Sequence, residues 1–220
     1  MQRPIWLLRA AVAYNSARRF DQTVKSLSEE MDALPQPEQK AEAHLLIGQA
    51  HLRAGRTKEA LAALRASQKA SRDWARADEV NLLVGQAQLA GGNSESAVAT
   101  WKAVIKDHPE TRMADQARYI LAQLASAVSD YKRSIGYFDA ILNSKRDPSL
   151  IRYALYGKGW ALLQSRKYAP ALESLDQMLK ENKQHPLRND ATDDADSDGL
   201  MNRKEQKFGT DPNDPDSDDD

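Results

Sequence analysis

The chain contains no cysteine, so neither disulfides nor thiolate-held metal sites are open to it. No stretch approaches the roughly 18 consecutive apolar residues that a membrane-spanning helix needs. A glycine-rich phosphate loop is missing, as is a serine elbow between strand and helix. Basic residues are scattered along the body without the aromatic interleaving of a nucleic-acid surface. Of the four histidines, His44 and His51 lie seven residues apart on one helical pattern but lack an H-E-x-x-H context, and without cysteine no zinc set can be completed. The sequence therefore reads as non-enzymatic.

The charge present is unevenly spread. From Asp190 to Asp220 there are eleven Asp and one Glu against Arg203, Lys204 and Lys207, a net of −9, and because the whole chain sits at −1, residues 1–189 carry +8. The body is Ala- and Leu-rich with few β-branched runs, which favours helix. Met1 to Tyr14 is mildly apolar but interrupted by Arg9. It reads as a first helix and not as a signal peptide.

The body repeats itself. Frames beginning at Pro4, Ala41, Asp78, Asp115 and Arg152 are each 37 residues apart. Their eighth place reads Ala11, Gly48, Gly85, Ala122, Gly159, and their twentieth Thr23, Ala60, Ala97, Ser134, Ala171. Small residues at two fixed places let a pair of helices approach closely. Further along, nearly apolar triplets spaced three and four apart mark one stripe of a second helix: Val24, Leu27, Met31; Leu61, Leu64, Gln68; Val98, Trp101, Ile105; Ile135, Phe138, Leu142; Leu172, Leu175, Leu179. Between the two helices stand Gly55, the run Gly91-Gly92-Asn93, and Ser129 with Asp130, all turn formers. Pro35, Pro109, Pro148 and Pro186 close four frames, where second helices are expected to stop. The second frame lacks such a proline, and its second helix is expected to run on towards Trp74.

A small residue, an aromatic or His (Tyr14, His51), a turn glycine, an aromatic (Phe20, Tyr131, Tyr168), alanine, a bulky apolar residue and then proline together resemble the tetratricopeptide repeat. The likeness covers about residues 4–188, although the usual period is about 34 residues. It implies an all-α right-handed superhelix of five helix-turn-helix repeats, 4–40, 41–77, 78–114, 115–151 and 152–188, in a domain of residues 1–188. It further implies that the first helix of each pair lines a concave groove for a protein or peptide. Three places then face the groove: Leu8, Leu45, Leu82, Tyr119, Tyr156; Val12, Gln49, Gln86, Gln123, Trp160; and Asn15, Leu52, Leu89, Ser126, Leu163. Gln49, Gln86 and Gln123 form an amide ladder suited to an extended backbone, and Tyr119, Tyr153, Tyr156 and Trp160 an aromatic anchor. The Lys and Asn clamp by which some members hold a terminal carboxylate is not in these columns.

The acidic end is patterned. In Asp194-x-Asp196-x-Asp198-Gly199, followed by Asn202 and Glu205, oxygens fall at places one, three, five, nine and twelve with Gly at six. That is the register of a helix-loop-helix calcium loop, in which alternate side chains converge on Ca²⁺ and the Leu200 carbonyl supplies the seventh place. The following Phe208-Gly209-Thr210-Asp211-Pro212-Asn213-Asp214-Pro215-Asp216 looks like the bacterial thrombospondin type 3 class of calcium repeat. By that likeness Asp216, Asp218 and Asp220 open a second loop, with Asp211 and Asp214 contributing, but the Gly and closing acid do not follow. Loops of extracellular modules bind calcium at roughly 10⁻⁴ to 10⁻³ M, so residues 189–220 are expected to be a loop-rich calcium-binding segment of a periplasmic or cell-surface protein. The expected function is a binding scaffold; the alternative is a calcium-stiffened spacer or accessory region of a larger envelope protein.

Overall fold

A computed structural model describes residues 3–181. Those residues form ten α-helices, a single 3-10 turn at Met31–Ala33, and no strand. The helices are α1 Arg3–Ser16, α2 Phe20–Glu29, α3 Pro37–Arg53, α4 Thr57–Ala70, α5 Ala77–Ala90, α6 Ser94–Asp107, α7 Arg112–Ala127, α8 Tyr131–Ser144, α9 Pro148–Gln164 and α10 Tyr168–Glu181. Two compact units divide the chain, Met1–Leu121 and Ala122–Asp220. The division falls inside α7, where the sequence period gave no sign of a boundary.

Every first helix closes in one way. The first helices end at Ser16, Arg53, Ala90, Ala127 and Gln164, and their partners start at Phe20, Thr57, Ser94, Tyr131 and Tyr168, both series stepping by 37. Each intervening turn holds one left-handed residue: Arg18, Gly55, Gly92, Ser129 or Arg166, with φ of 59, 75, 81, 60 and 59°. The next residue's N–H then donates to the carbonyl five positions back, on Tyr14, His51, Gln88, Ala125 and Leu162, at 2.8, 2.9, 2.9, 2.9 and 3.0 Å. This is the Schellman closure, which satisfies carbonyls that a helix end leaves open.

The two small places are contact points. A methyl on Gly48 would meet the Leu64 side chain at 2.7 Å, and one on Gly85 would meet Trp101 at 2.4 Å. In the second unit a methyl on Gly159 would meet Leu175 at 2.8 Å. Ala11 and Ala122 fill the same place elsewhere, and both are fully buried. Thr23, Ala60, Ala97, Ser134 and Ala171 of the other small place are buried as well. Close approach lets large side chains be wholly enclosed, among them Leu27, Leu64 and Trp101. Each such leucine contributes about 1.5–3 kcal/mol of transfer free energy. The Trp101 indole N–H donates to the Leu82 carbonyl at 3.0 Å, so its polar atom is satisfied inside the core. Within the second unit the Phe138 ring lies over Gly157, 2.4 Å from where a methyl would be.

One expectation about helix ends is corrected. The helix α4 does not run on to Trp74 but stops at Ala70, with Ser71 extended at φ −153° and ψ 120°. A proline is not needed there, because Trp74 turns back to pack against a core of Leu45, Leu64, Val80 and Val84. The second helices do stop ahead of Pro35, Pro109 and Pro148, and Pro148 also opens α9 as its first residue, where its missing N–H has no intrahelical partner to lose. The helix before it ends at Ser144, with left-handed Lys145 at φ 54°. No described helix is long and apolar enough to cross a membrane.

Candidate functional site

In the second unit, α9 is started firmly. The Asp147 carboxylate accepts from the N–H groups of Ser149 and Leu150 at 3.0 and 3.3 Å, an N-cap that fixes the helix from its first turn. One side of α9 carries Ala154, Leu155, Ala161 and Leu162, all buried. On another, Tyr153, Tyr156 and Trp160 recur at intervals of three and four, a single stripe of the helix surface. Tyr153 is 42 % exposed and Trp160 52 %, with Tyr156 half-buried between them. Lys158, on the same helix, pairs with Asp139 of α8 at 2.8 Å. Three predicted anchor residues are thus brought together on one helix. The fourth, Tyr119, is half-buried and belongs to the first unit, whereas Gln123 is exposed and belongs to the second.

In the first unit, Gln49 and Gln86 are half-buried. The Gln49 amide is engaged, its Nε2 donating to Glu79 Oε1 at 2.9 Å. Glu79 in turn receives Arg76 through both oxygens at 2.9 and 3.0 Å, and Arg76 also bonds Glu42. Burial works against the Arg76 charge, but the hydrogen bond to Glu79 and the neighbouring Glu42 outweigh it and hold its pKa above the ordinary range. The result is a polar bridge from α3 to α5. Sequence reading missed it, yet its signal was available: Glu42 and Glu79 occupy the second place of successive frames, the place that Tyr153 fills in the fifth.

Two members of the first groove column turn inward. Leu45 and Leu82 are buried at 0 % and 2 % exposure, part of the core and not of a ligand surface. Asn15 is buried too, its Nδ2 donating to the Leu46 carbonyl at 3.0 Å while its Oδ1 accepts from Thr23 at 3.0 Å. Leu52 packs against the core of Leu45 and Leu64. The surface of the first helices is carried by the ninth place of the frames, one of the three columns read as groove-facing, together with the second place. In the first unit these include Ile5 and Val12, 49 % and 47 % exposed, with the Glu42, Gln49 and Glu79 bridge.

His51 has a lowered pKa, through desolvation and then the nearby Arg56, against smaller opposing effects of Glu59 and Asp21. His44 is lowered by burial and then by Lys40. Among the described residues no group of three or more His, Asp or Glu is placed to hold a metal. The calcium ligands read from the sequence, Asp194, Asp196, Asp198, Leu200, Asn202 and Glu205, lie outside the described residues, as do Asp211, Asp214, Asp216, Asp218 and Asp220.

Paired helices joined by one recurring turn, with small residues at the crossing points, define a helical-hairpin repeat protein. A sequence profile described as "Tetratricopeptide repeat" matches residues 7–73 and 82–151, and the chain belongs to that family. Solved structures share the fold at low sequence identity. The crystal structure of MamA superposes with a TM-score of 0.63 at 14 % identity, covering 83 % of this chain and 93 % of its own. YrrB, described as a tetratricopeptide repeat protein with an unusual peptide-binding site, has a TM-score of 0.57 at 15 % identity, covering 82 % of this chain and 87 % of its own. The C-terminal part of a repeat protein from Cytophaga hutchinsonii has a TM-score of 0.67 at 10 % identity, with 84 % and 67 % covered. No curated protein sequence matches the chain. The tetratricopeptide fold is typically a non-enzymatic scaffold for protein–protein interaction.

Proposed function

We propose that this protein is a non-enzymatic scaffold that captures a peptide or partner helix, with the exposed aromatic face of α9 as its anchor. The observation that carries this reading is the aromatic stripe of Tyr153, Tyr156 and Trp160, two of whose members are more than 40 % exposed. Aromatic side chains leave water readily and lose little rotamer freedom on binding, which is why they dominate interface hot spots. The peptide-binding site described for YrrB supports a ligand of this class. Residues 189–220 are proposed to hold calcium through the loop from Asp194 to Glu205. Loops of such modest affinity suit a calcium-rich compartment, which supports a periplasmic or cell-surface location.

The test is a peptide selection against the full chain, followed by affinity measurements on variants. Selected peptides should bind Trp160→Ala and Tyr153→Ala at least about tenfold more weakly, as expected for hot-spot aromatics. Circular dichroism should report a native helix content for both variants. Equal affinity for wild type and variants would remove α9 as the anchor.

A further inference from the structure

A cleft lies in the first unit, where α4 breaks off before α5. The six residues from Ser71 to Arg76 that join these helices enclose a cleft of about 460 Å³. Arg65, Lys69 and Arg72 line it, and none of its lining residues is acidic. All three cations are exposed and none forms an ion pair among the described residues. Arg65 and Lys69 stand four residues apart on α4, a spacing at which like charges repel. The negative end of the helix dipole accounts for a cation in the last turn but not for Arg65 a turn earlier. Asp78, at the head of α5, is engaged locally, accepting from the Glu79 N–H at 2.8 Å.

Other groups in the cleft are suited to a peptide. Trp74 lines it, and its indole Nε1 is buried without a hydrogen-bond partner. Such a donor calls for an acceptor. Gln68 and Asn81 also line the cleft and bond to each other, Gln68 Nε2 donating to Asn81 Oδ1 at 2.7 Å. The pair keeps one carbonyl oxygen and one amide nitrogen for a ligand's backbone. Gln68 is also the departure in its column, where the other repeats have Met31, Ile105, Leu142 and Leu179. A cleft of this size has room for a short stretch of peptide chain.

We infer that this cleft binds an acidic peptide segment, with carboxylates between Arg65, Lys69 and Arg72, an acceptor on the Trp74 indole, and backbone on the Gln68 and Asn81 amides. The site is separate from the aromatic stripe of α9 and does not depend on it.

Fluorescence anisotropy on the full chain at low ionic strength tests the site, using a labelled peptide of alternating aspartate and glycine. Its asparagine counterpart and inorganic phosphate serve as competitors. Replacing Arg65, Lys69 and Arg72 together by Gln should weaken the aspartate peptide by about tenfold or more, and Trp74→Phe severalfold. Trp160→Ala should leave it unchanged, and circular dichroism should report a native helix content throughout. Retained affinity in both cleft variants would overturn the inference, as would asparagine peptide or phosphate binding as tightly as the aspartate peptide.

Discussion

A methyl group placed on Gly85 would lie 2.4 Å from Nε1 of Trp101, so the largest side chain of the first unit's core exists only because the residue beneath it has none. Trp101 is fully buried and holds the Leu82 carbonyl, leaving it no direction in which to retreat. Gly85→Ala should therefore destabilise by about 1–3 kcal/mol, the range for overpacking, despite the higher helix propensity of Ala. Combining it with Trp101→Leu recreates the pairing of Ala11 with Leu27, both fully buried in the first repeat. A double-mutant cycle by urea unfolding should show favourable coupling between the two changes.

The five left-handed turn residues differ in cost. Gly55 and Gly92 occupy that conformation freely, and a Cβ at either would touch nothing within 4 Å. Arg18, Ser129 and Arg166 occupy it with a side chain, at about 1–2 kcal/mol each for the crowding of Cβ against the following carbonyl. Arg166→Gly should stabilise by about 1 kcal/mol, and Gly92→Ala should destabilise by a similar amount. Thermal melts of the two variants should move in opposite directions.

Burial holds His44 and His51 below the ordinary histidine range. The unfolded chain takes up protons as pH falls through about 6.5, while the native state remains neutral until the lower folded values are reached. Their contribution to stability is thus complete above about pH 6.5 and is lost below it. The melting temperature should fall between about pH 7.5 and 5.5, and His44→Gln with His51→Gln should flatten that slope. An unchanged slope would assign the acid sensitivity to other groups.

Calcium should bind in the range of about 10⁻⁴ to 10⁻³ M. Titration calorimetry of the full chain should show heat that EDTA abolishes and that Glu205→Gln, by removing one of the two closing oxygens, strongly reduces. Limited proteolysis should find residues 189–220 protected by calcium. Indifference to calcium in both measurements would dismiss the loop.

The hairpins were readable because their signals are local. Small residues at places eight and twenty mark where helices cross, and the 37-residue step fixes where each second helix begins. Which side of a first helix faces outward was harder to read. Along α3, Ala41, Ala43, Leu45, Leu46, Ile47, Gly48 and Ala50 are all buried. The outward stripe through Glu38, Glu42, Gln49 and Arg53 is narrow, too narrow to orient the helix by its apolar pattern, so Leu45 and Leu82 read as surface when they are core. Polar residues misled in the same way. Asn15 looked like a groove residue, but its amide bonds to Leu46 and Thr23 inside the protein. The break after Ala70 left no mark because it is set by Trp74 returning to the core, a contact between distant turns of chain.

The positions at which the helices begin and end differ in how strictly they are kept. First-helix ends and second-helix starts keep step in all five pairs, whereas α3, α5, α7 and α9 begin at Pro37, Ala77, Arg112 and Pro148, at uneven intervals. The links between hairpins vary in length and the helices compensate within the 37-residue step, whereas the elbow within each hairpin is rigidly counted. A residue inserted in an elbow would swing the second helix by about 100° and turn its small residue away from the crossing. For protein engineering, the interchangeable cassette is the hairpin, cut in the links at Ser71–Arg76 or His108–Thr111, where the chain has already varied its own length.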